Sequence, residues 1–221
     1  MSYTGEVTPG GAPDVRELPA LTITKLAVDE KMSNNCYLLT CRSTGENLLI
    51  DAADQPESLF QVADGAIATI ATTHQHWDHH RGLAELVKLT GATTVAGEPD
   101  ADAITEQTTV PIDRRVVDGD TVTVGDCELE VIRITGHTPG SICLLYRDPE
   151  GHGHLFTGDS LFPGGPGRTT EPEHFDSIMA DLQANVFDVL PDDTWFYPGH
   201  GNDSTLGAER GSIPEWLERR W

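Results

Sequence analysis

The densest group of reactive side chains lies in a polar loop with the pattern H-x-H-x-D-H, formed by His74, His76, Asp78 and His79. Imidazoles one residue apart on an extended loop can point to the same side and bind one ion, while the adjacent Asp78 and His79 can turn toward a second. Neutral imidazole and carboxylate are suitable zinc ligands. Chance produces this pattern in roughly one such sequence in a thousand. The loop therefore predicts a metal site rather than a solvated histidine cluster.

Three further segments place a histidine or an aspartate in a glycine-rich turn directly after an apolar strand. These are His137 in TGHTPGS, Asp159 in FTGDS and His200 in YPGHG. Glycine permits tight turns and the close approach of an ion or a substrate. Each segment alone is weak support for a site, but together with H-x-H-x-D-H they add three candidate ligands at strand ends.

Short apolar segments between turn residues predict the elements that must hold these side chains. Strands are predicted at Leu21–Val28, Cys36–Cys41, Asn47–Ile50, Ile67–Ala71, Thr93–Ala96, Ser141–Tyr146, Leu155–Thr157 and Thr194–Tyr197. Helices are predicted at Pro56–Asp64, Arg81–Leu89, Pro99–Thr105, Glu173–Val189 and Pro214–Arg219. An antiparallel meander is predicted from Arg115–Val117, Thr121–Val124 and Glu128–Ile134. Many strands with a few helices between them favour an αββα sandwich.

Charge and composition restrict the partners. The chain has 221 residues, 14 basic and 36 acidic side chains, and a formal net charge of −22. Such a field repels nucleic acid and anionic membranes, so neither is expected as a partner. No apolar run reaches the ~18 residues of a membrane span. Residues 1–20, rich in proline and glycine, show no secretory signal and are expected to wrap the surface or to be mobile.

The cysteines favour a reducing compartment. None of the four forms a C-x-x-C pair, and we interpret them as buried apolar thiols in a reducing environment: Cys36, Cys41, Cys127 and Cys143. With no targeting segment recognised, we expect a cytoplasmic protein. The oligomeric state is not indicated by the sequence.

The motifs H-x-H-x-D-H, GHTPGS, TGD and PGHG follow one another in this order between Thr73 and Gly201. In this order the chain resembles the metallo-β-lactamase superfamily. The tryptophan of HQHWDH makes it similar to the glyoxalase II-like, or hydroxyacylglutathione hydrolase-like, branch. The resemblance implies a single αββα domain over residues 1–221.

The resemblance also implies a site with two divalent metal ions, zinc first and iron as an alternative. The sequence alone does not assign ligands to ions. By family resemblance, the first ion is held by His74, His76 and His137, the second by Asp78, His79 and His200, and Asp159 bridges the two.

The implied reaction is hydrolysis of a small-molecule thioester by a metal-bridged hydroxide. Bound zinc lowers the pKa of water to about 7. A thiolate leaving group needs no strong general acid, because the pKa of a thiol is about 8.5. Asp78 is implied to act in catalysis by holding the nucleophile in line.

Two residues are candidate substrate contacts. Arg168, in the loop FPGGPGRTT after Asp159, matches the position of a basic residue near the glutathione carboxylate in glyoxalase II-like proteins. The other interpretation is a surface arginine paired with Glu171 or Glu173. Trp77 is expected either to line the substrate pocket or to pack the loop.

Two departures from the family pattern concern residues after the metal motif and the length of the chain. The family's x-G-G is replaced by His80-Arg81-Gly82, and we interpret His80 as a neighbour of the site rather than a ligand. Arg81 is expected to face the acidic surface or the pocket. Only about twenty residues follow His200, so the C-terminal helical domain of full glyoxalase II enzymes is not expected, and a different thiol carrier is an alternative.

A persulfide dioxygenase is the main alternative function. This iron-dependent oxidoreductase looks similar in the same motifs and would bind one iron through His74, His137 and Asp159. Ser141 in GHTPGS leans against it.

Other members of the fold are weaker alternatives. A lactonase uses much the same ligand set and stays open. A β-lactamase lacks the aspartate that Asp159 supplies, and diiron flavoproteins carry glutamate at the position of His76. A non-catalytic binding module is disfavoured because such proteins lose ligands, whereas all seven candidates are present here.

Overall fold

Two β-sheets stack face to face, and helices cover their outer faces. The computed structural model describes residues 3–220, so residues 1 and 2 of the predicted N-terminal segment, and residue 221 of the predicted domain, lie outside that range. Within it, the first sheet contains β1 (Asp14–Glu17), β2 (Leu21–Val28), β3 (Asn34–Cys41), β4 (Asn47–Ile50), β5 (Thr69–Thr72), β6 (Thr93–Gly97) and β7 (Arg114–Val116) in that spatial order.

The second sheet and the helices complete the sandwich. The chain continues through β8 (Thr121–Val124), β9 (Cys127–Arg133), β10 (Ile142–Arg147), β11 (Gly153–Gly158), the two-stranded ribbon β12 (Leu161–Phe162) and β13 (Gly165–Pro166), then β14 (Trp195–Pro198) and β15 (Ser204–Thr205). The spatial order in the second sheet is β15-β14-β11-β10-β9-β8. The helices are α1 (Pro56–Val62), α2 (Leu83–Thr90), α3 (Glu98–Thr108), α4 (Pro172–Leu182), α5 (Leu206–Arg210) and α6 (Ile213–Arg219).

Three apolar layers hold these elements together, and strand alternation assigns side chains to them. On β3, Leu39 points into the layer between the sheets, while Leu38 packs beneath α1, α2 and α3. On β10, Leu144 lies between the sheets and Leu145 packs toward α4 and α6. Each fully buried leucine contributes about 1.5–3 kcal/mol. The layers confirm the predicted αββα class.

The strand directions bring the reactive loops to one edge of the sandwich. Strands β4 to β7 run parallel to one another, so their carboxyl ends share an edge. In the second sheet β11 and β14 are parallel, which places Asp159 and His200 side by side after their strands. Hydrogen bonds from Ile142 N to Thr73 O (2.9 Å) and from Asn35 N to Gly199 O (2.7 Å) join the loops of the two sheets there.

The predicted antiparallel meander is wrong in its first member. The predicted strand Arg115–Val117 is β7, and it pairs in parallel with β6 of the first sheet. The physical reason is the intervening α3, since a helical crossover returns the chain parallel to the strand it left. Only β8 and β9 form the antiparallel hairpin that was predicted.

Two other segments differ from the sequence-based prediction. The predicted helix Glu173–Val189 ends as an α-helix at Leu182 and continues as a π-helical turn over Gln183–Phe187. The N-terminal segment is not loose over its described part: β1 pairs with β2, and the hydroxyl of Tyr3 donates to Asp203 (2.6 Å). Among residues 3–220 we find no helix that is long and apolar enough to cross a membrane.

A buried ion pair fastens this N-terminal segment to the loop after β14. Lys25 Nζ donates to Asp203 Oδ1 (2.7 Å) and to the carbonyl oxygens of Gly5 and Gly201 (both 2.9 Å). Burial lowers the pKa of Lys25 and raises that of Asp203, and each charge opposes the shift in its partner. Both side chains are almost completely excluded from solvent, so each charge depends on the other.

We expect Lys25→Met to lower the free energy of unfolding by about 3–5 kcal/mol, because it leaves the carboxylate of Asp203 buried without a counter-charge. Urea denaturation followed by circular dichroism measures this loss. Lys88→Met is the matched control, since Lys88 is exposed on α2. Equal stabilities of the two variants would contradict the role assigned to the pair.

Candidate metal centre

Four loops at the shared sheet edge carry the seven candidate ligands. The loop after β5 supplies His74 and His76, and then a 3₁₀ turn over Trp77–His79 directs Asp78 and His79 inward. His137 lies between β9 and β10, and Asp159 and His200 follow β11 and β14. A side chain at Gly199 would lie 2.4 Å from Asp159 Oδ1 and 2.5 Å from His79 Cε1, so only glycine allows this close approach.

Three imidazoles form one cluster. His74 Nε2 lies 3.1 Å from His76 Nδ1, which lies 2.9 Å from His137 Nε2. Ligands of a tetrahedral zinc ion, bonded at 2.0–2.1 Å, are separated by about 3.3 Å. The three nitrogens therefore have nearly the spacing that one ion requires.

Two carboxylates and two imidazoles form the adjoining cluster. Asp78 Oδ2 lies 3.4 Å from His200 Nε2 and 3.7 Å from His79 Nε2. Asp159 Oδ1 lies 3.4 Å from His79 Nε2, and its Oδ2 lies 3.6 Å from His200 Nε2. Asp159 Oδ2 is also 3.7 Å from His137 Nε2, so this carboxylate lies between the two clusters.

Asp51, directly after β4, orients two of the imidazoles. Its carboxylate accepts hydrogen bonds from Thr73 N (2.7 Å) and Thr73 Oγ1 (2.8 Å), and it lies 2.8 Å from His79 Nδ1. Since the Thr73 hydroxyl donates to Asp51, it accepts from His74 Nδ1 at 3.0 Å. The protons of both rings are thus directed to Nδ1, which leaves each Nε2 lone pair for the cluster.

Backbone carbonyl oxygens hold the proton on Nδ1 in the two other histidines that present Nε2, which are His137 and His200. His137 Nδ1 lies 2.8 Å from the carbonyl oxygen of Arg168, and His200 Nδ1 lies 3.0 Å from that of Met32. Because a carbonyl oxygen can only accept a hydrogen bond, Nδ1 carries the proton in both rings. The tertiary structure therefore selects the tautomer that presents Nε2.

Asp100 on α3 links two of the ligand loops. Its Oδ2 accepts hydrogen bonds from Gln75 N (2.9 Å) and Thr138 Oγ1 (2.6 Å), and its Oδ1 accepts from Gly140 N (2.7 Å). Asp100 has no exposed surface, and burial raises the pKa of its carboxyl group. The three donors hold His74, His76 and His137 at fixed relative positions by tying together the chain segments that carry them.

The charge distribution among the candidate ligands favours the binding of a cation. Burial opposes the charged form of His79, but Asp159 and Asp51 outweigh it and raise the pKa of that imidazole. Burial also opposes ionisation of Asp78 and Asp159, yet the neighbouring histidines hold the pKa of both carboxyl groups below the ordinary value. His79 Nε2 and Asp159 Oδ1 are buried without a hydrogen-bond partner among the described residues. Nitrogen and oxygen donors converging with unpaired atoms fit divalent metal ions.

Asn34, at the start of β3, supports the second cluster. Its Nδ2 donates to Asp78 Oδ2 (3.1 Å) and lies 3.3 Å from His200 Nε2. The side chain of Arg81 reaches the same asparagine at 3.5 Å and pairs with Asp29 at 2.6 Å. Arg81 was expected to face either the acidic surface or the pocket, and this pairing with Asp29 supports the first of the two.

Trp77 and His80 lie beside the site rather than in it. Trp77 is exposed (53%) and lies 4.8 Å below the guanidinium of Arg81, in a cleft of about 390 Å³. His80 is buried, and its Nε2 lies 3.1 Å from the carbonyl oxygen of Gln75. His80 therefore braces the ligand loop from behind, in agreement with its interpretation as a neighbour of the site.

A second groove opens beside His200 and contains Arg168. Its volume is about 390 Å³, and its walls come mainly from Phe162–Pro166, with Arg219 hydrogen-bonded to the carbonyl oxygen of Gly164 in that wall. The guanidinium of Arg168 is exposed and has no ion-pair partner among residues 3–220. In particular, no ion pair with Glu171 or Glu173 forms, so the alternative interpretation of Arg168 is not supported.

The three supporting residues Asp51, Asn34 and Asp100 were missed by sequence reasoning. Asp51 had a signal, since it follows the apolar strand NLLI just as the ligands follow theirs. Asn34 and Asp100 had none, because an asparagine before a strand and an aspartate in a helix are ordinary surface residues. Only their burial and partners distinguish them.

Comparisons with known proteins place the site in context. Residues 30–200 match the family model of the metallo-beta-lactamase superfamily. The chain is 36% identical over 167 residues to a hydroxyacylglutathione hydrolase of Polaromonas sp., and 34% identical over 176 residues to a probable hydroxyacylglutathione hydrolase of Schizosaccharomyces pombe. These alignments cover 74% and 76% of this chain but 60% and 64% of the relatives, so the chain spans about three fifths of their length.

A solved structure extends the comparison to three dimensions. A protein crystallised in a di-iron-bound form is 28% identical and superposes with a TM-score of 0.68. The superposition covers 84% of this chain and 96% of that chain. The two proteins therefore share the same fold over most of this chain.

We expect Asp100→Asn to lower the affinity for zinc by about 10–100-fold, because an amide cannot accept all three hydrogen bonds that join the ligand loops. Zinc titration against a chromophoric chelator measures the affinity. Asp102→Asn is the control, since Asp102 is on the same helix but exposed. If both variants bound zinc as the unmodified protein does, Asp100 would have no part in positioning the ligands.

Proposed function

The chain belongs to the metallo-β-lactamase superfamily, and we propose that it is a metal-dependent hydrolase of the glyoxalase II type that cleaves a hydroxyacyl thioester. The observation that carries the proposal is the convergence of seven histidine and aspartate side chains into adjoining clusters with Asp159 between them. The names of the hydroxyacylglutathione hydrolase relatives support the thioester as the substrate class.

We assign the ligands as two sets with one shared carboxylate. His74, His76 and His137 would hold one divalent ion, and Asp78, His79 and His200 a second, with Asp159 between the two. Support comes from the grouping of ligand atoms within 4.8 Å of one another in each set. A third such group, His74, His79 and Asp159, overlaps both sets, as expected for a bridging carboxylate.

Zinc is the metal we propose first, because imidazole and carboxylate donors without thiolates suit it. Iron is the alternative, supported by the di-iron-bound form of the similar structure. When bound, such ions act as Lewis acids that bring the pKa of water to about 7 and polarise a carbonyl group.

Asp78 is the catalytic residue of the proposal. Asn34 Nδ2 donates a hydrogen bond to its Oδ2 at 3.1 Å, and His200 Nε2 lies 3.4 Å from the same oxygen. The rotation of the carboxylate is therefore restrained, and its other oxygen is free to accept a hydrogen bond from the attacking water and to hold it in line with the acyl carbon. The low pKa of Asp78 keeps it ionised for this role at neutral pH.

The tautomers of His79 and His137 also suit the proposed reaction. Asp51 holds the proton of His79 on Nδ1, and the carbonyl oxygen of Arg168 does so for His137. The Nε2 lone pairs are therefore directed inward, toward the clusters. Departure of the thiol requires little help from an acid, since a thiolate is stable near its pKa of about 8.5.

The groove beside His200 is the proposed binding site of the thiol half of the substrate. Its wall is largely apolar, and it carries the unpaired guanidinium of Arg168. In a chain with a net charge of −22, an arginine without a partner at this place favours an anionic group on the substrate. Trp77, on the other side of the metal loop, is the second proposed substrate contact.

A reducing compartment such as the cytoplasm is the proposed location. All four cysteines are buried and free, which is the state that reducing compartments maintain. The proposed partner is the small thioester itself.

We expect Asp159→Ala to lose most bound metal and to lower kcat/KM for a hydroxyacyl-glutathione thioester more than about 100-fold, because one bridging ligand serves both ions. Mass spectrometry of the metal content per chain and thioester hydrolysis are measured on the same preparations. Asp193→Ala, at an exposed aspartate, is the control. Full metal content and turnover in the Asp159 variant would refute the assigned site.

We expect Arg168→Ala to raise KM about 10-fold with kcat nearly unchanged, because the arginine contacts only the part of the substrate that does not react. Steady-state kinetics with thioesters that carry or lack a carboxylate on the thiol half separate charge recognition from other effects. The control is Arg147→Ala, at an arginine paired with Glu130 away from the groove. An equal loss for both thioesters would rule out charge recognition by Arg168.

A further inference from the structure

Three buried polar side chains lie at the metal end of the apolar layer between the sheets: Lys25 on β2, and Asn35 and Tyr37 on β3. None of them is more than 2% exposed. Tyr37 packs between the sheets, whereas Cys36 and Leu38 face the helices, so strand alternation places Asn35 on the face of Tyr37. Lys25 lies directly opposite Tyr37 in the register of β2 and β3. Because buried polar groups need hydrogen-bond partners, these three residues must find theirs nearby.

The partners of Asn35 lie in the loop after β14, which carries His200. Asn35 Nδ2 donates to the carbonyl oxygens of Pro198 and Gly201, both at 2.9 Å. The backbone nitrogen of Asn35 donates to the carbonyl oxygen of Gly199 at 2.7 Å. An amide nitrogen has two N–H donors, and here both are used. A single residue of the first sheet thus binds the loop on both sides of His200.

Tyr37 and Lys25 share these carbonyl groups. Tyr37 Oη donates to Pro198 O at 2.7 Å, and Lys25 Nζ donates to Gly201 O at 2.9 Å. Each of the two oxygens therefore accepts one hydrogen bond from Asn35 and one from a second side chain, which fills both of its lone pairs. Removing the amide of Asn35 leaves neither oxygen without a partner, so the cost to stability is limited.

The position of the His200 ring depends on the backbone that Asn35 holds. His200 Nδ1 lies 3.0 Å from the carbonyl oxygen of Met32, and an antiparallel bridge joins the backbones of His200 and Asn34. Gly201 has a φ of +73°, in the left-handed region that favours glycine. The ring therefore has few alternative positions as long as the loop stays in place.

The two ligand sets are held by different supporting residues. The hydrogen bonds of Asp100 go to the loops of His74, His76 and His137, whereas those of the Asn35 amide go to the loop of His200. Among residues 3–220, no hydrogen bond joins Asp100 to the His200 loop. The affinities for the two ions can therefore be changed separately.

We propose that Asn35 is a positioning residue for the second metal ion. Its amide holds the loop at the place where His200 completes the set of Asp78 and His79, and it thereby sets the affinity for that ion separately from the affinity for the first. Tyr37 contributes through its hydrogen bond to the same loop. This inference rests on the ligand assignment of the proposed function, but it does not depend on the substrate or on hydrolysis.

Asn35→Leu removes both N–H donors at nearly the same side-chain volume. We expect the affinity for the second ion to fall about 10–100-fold, with the affinity for the first nearly unchanged. Cobalt(II) is titrated into the metal-free full chain in competition with a chelator, and its visible absorption is recorded because the bands depend on the ligands. His200→Ala, which removes a ligand of the second set, identifies the binding step and the spectrum that belong to the second ion.

Tyr37→Phe is the milder variant. It removes one hydroxyl group and keeps the ring, and Pro198 O still accepts from Asn35. We expect the same selective weakening of the second step, but only about 5-fold, the typical effect of one neutral hydrogen bond. This variant tests the positioning role even if Asn35→Leu does not fold.

Leu38→Ala is the matched control for a loss of stability. Leu38 is on the same strand and is buried on the opposite face, in the layer beneath the helices. Its truncation lowers the free energy of unfolding by about 2–5 kcal/mol, and we expect both cobalt(II) affinities to be retained. Asp100→Asn is expected to give the reverse pattern of Asn35→Leu, with the first step weakened and the second retained.

The proposal is overturned if Asn35→Leu and Tyr37→Phe weaken both steps equally, if they bind cobalt(II) as Leu38→Ala does, or if the unmodified protein shows a single binding step. Hydrolysis is not measured in this experiment. A protein that shows the selective loss but cleaves no thioester would support the positioning role and refute the proposed function.

Discussion

The need to neutralise buried carboxylates is the constraint on which the structure of this edge depends. Asp203 and Asp159 illustrate the two solutions. Asp203 is neutralised by Lys25 within the fold, whereas Asp159 faces imidazoles whose other nitrogens are already committed as donors. Because unpaired buried charge is costly, the second arrangement favours the binding of a divalent cation. Lys25 thus neutralises Asp203, whereas Asp159 lies in a group of side chains that could hold a metal ion.

The same constraint explains why the supporting residues lie where they do. Asp51 and Asp100 are not candidate ligands, yet each accepts several hydrogen bonds from the loops that carry ligands. They hold these loops before any ion arrives, so little reorganisation accompanies binding. Parallel strands make this possible, since their carboxyl ends deliver loops from both sheets to one edge.

The two edges of the sandwich have different chemistry. The metal edge combines nitrogen and oxygen donors with an apolar groove and the unpaired Arg168. At the opposite edge, hydrogen bonds from Ser43 Oγ to Asp126 and from Gly125 N to Glu46 join the turn after β3 to the turn between β8 and β9. Strand β3 spans the distance between them, with Asn34 at one end and Cys41 at the other.

The sequence by itself determined the candidate ligand set and most strands, because ligand chemistry depends on residue type and strand signals are local. The H-x-H-x-D-H loop and the glycine turns around His137, Asp159 and His200 were recognisable, and β2 and β4 were predicted at their observed bounds. Their assignment to individual ions remains a proposal. The placement of β7 and the roles of Asn34 and Asp100 were not predictable.

Tertiary structure decided those features because they depend on long-range contacts. β7 joins the first sheet since α3 returns the chain parallel to β6. Which nitrogen of each histidine faces the cluster depends on partners as distant in sequence as Arg168 for His137 and Met32 for His200. A sequence states that these side chains can bind metal, but only the packing of two sheets against each other brings seven of them, in the right tautomers, to within a few ångströms.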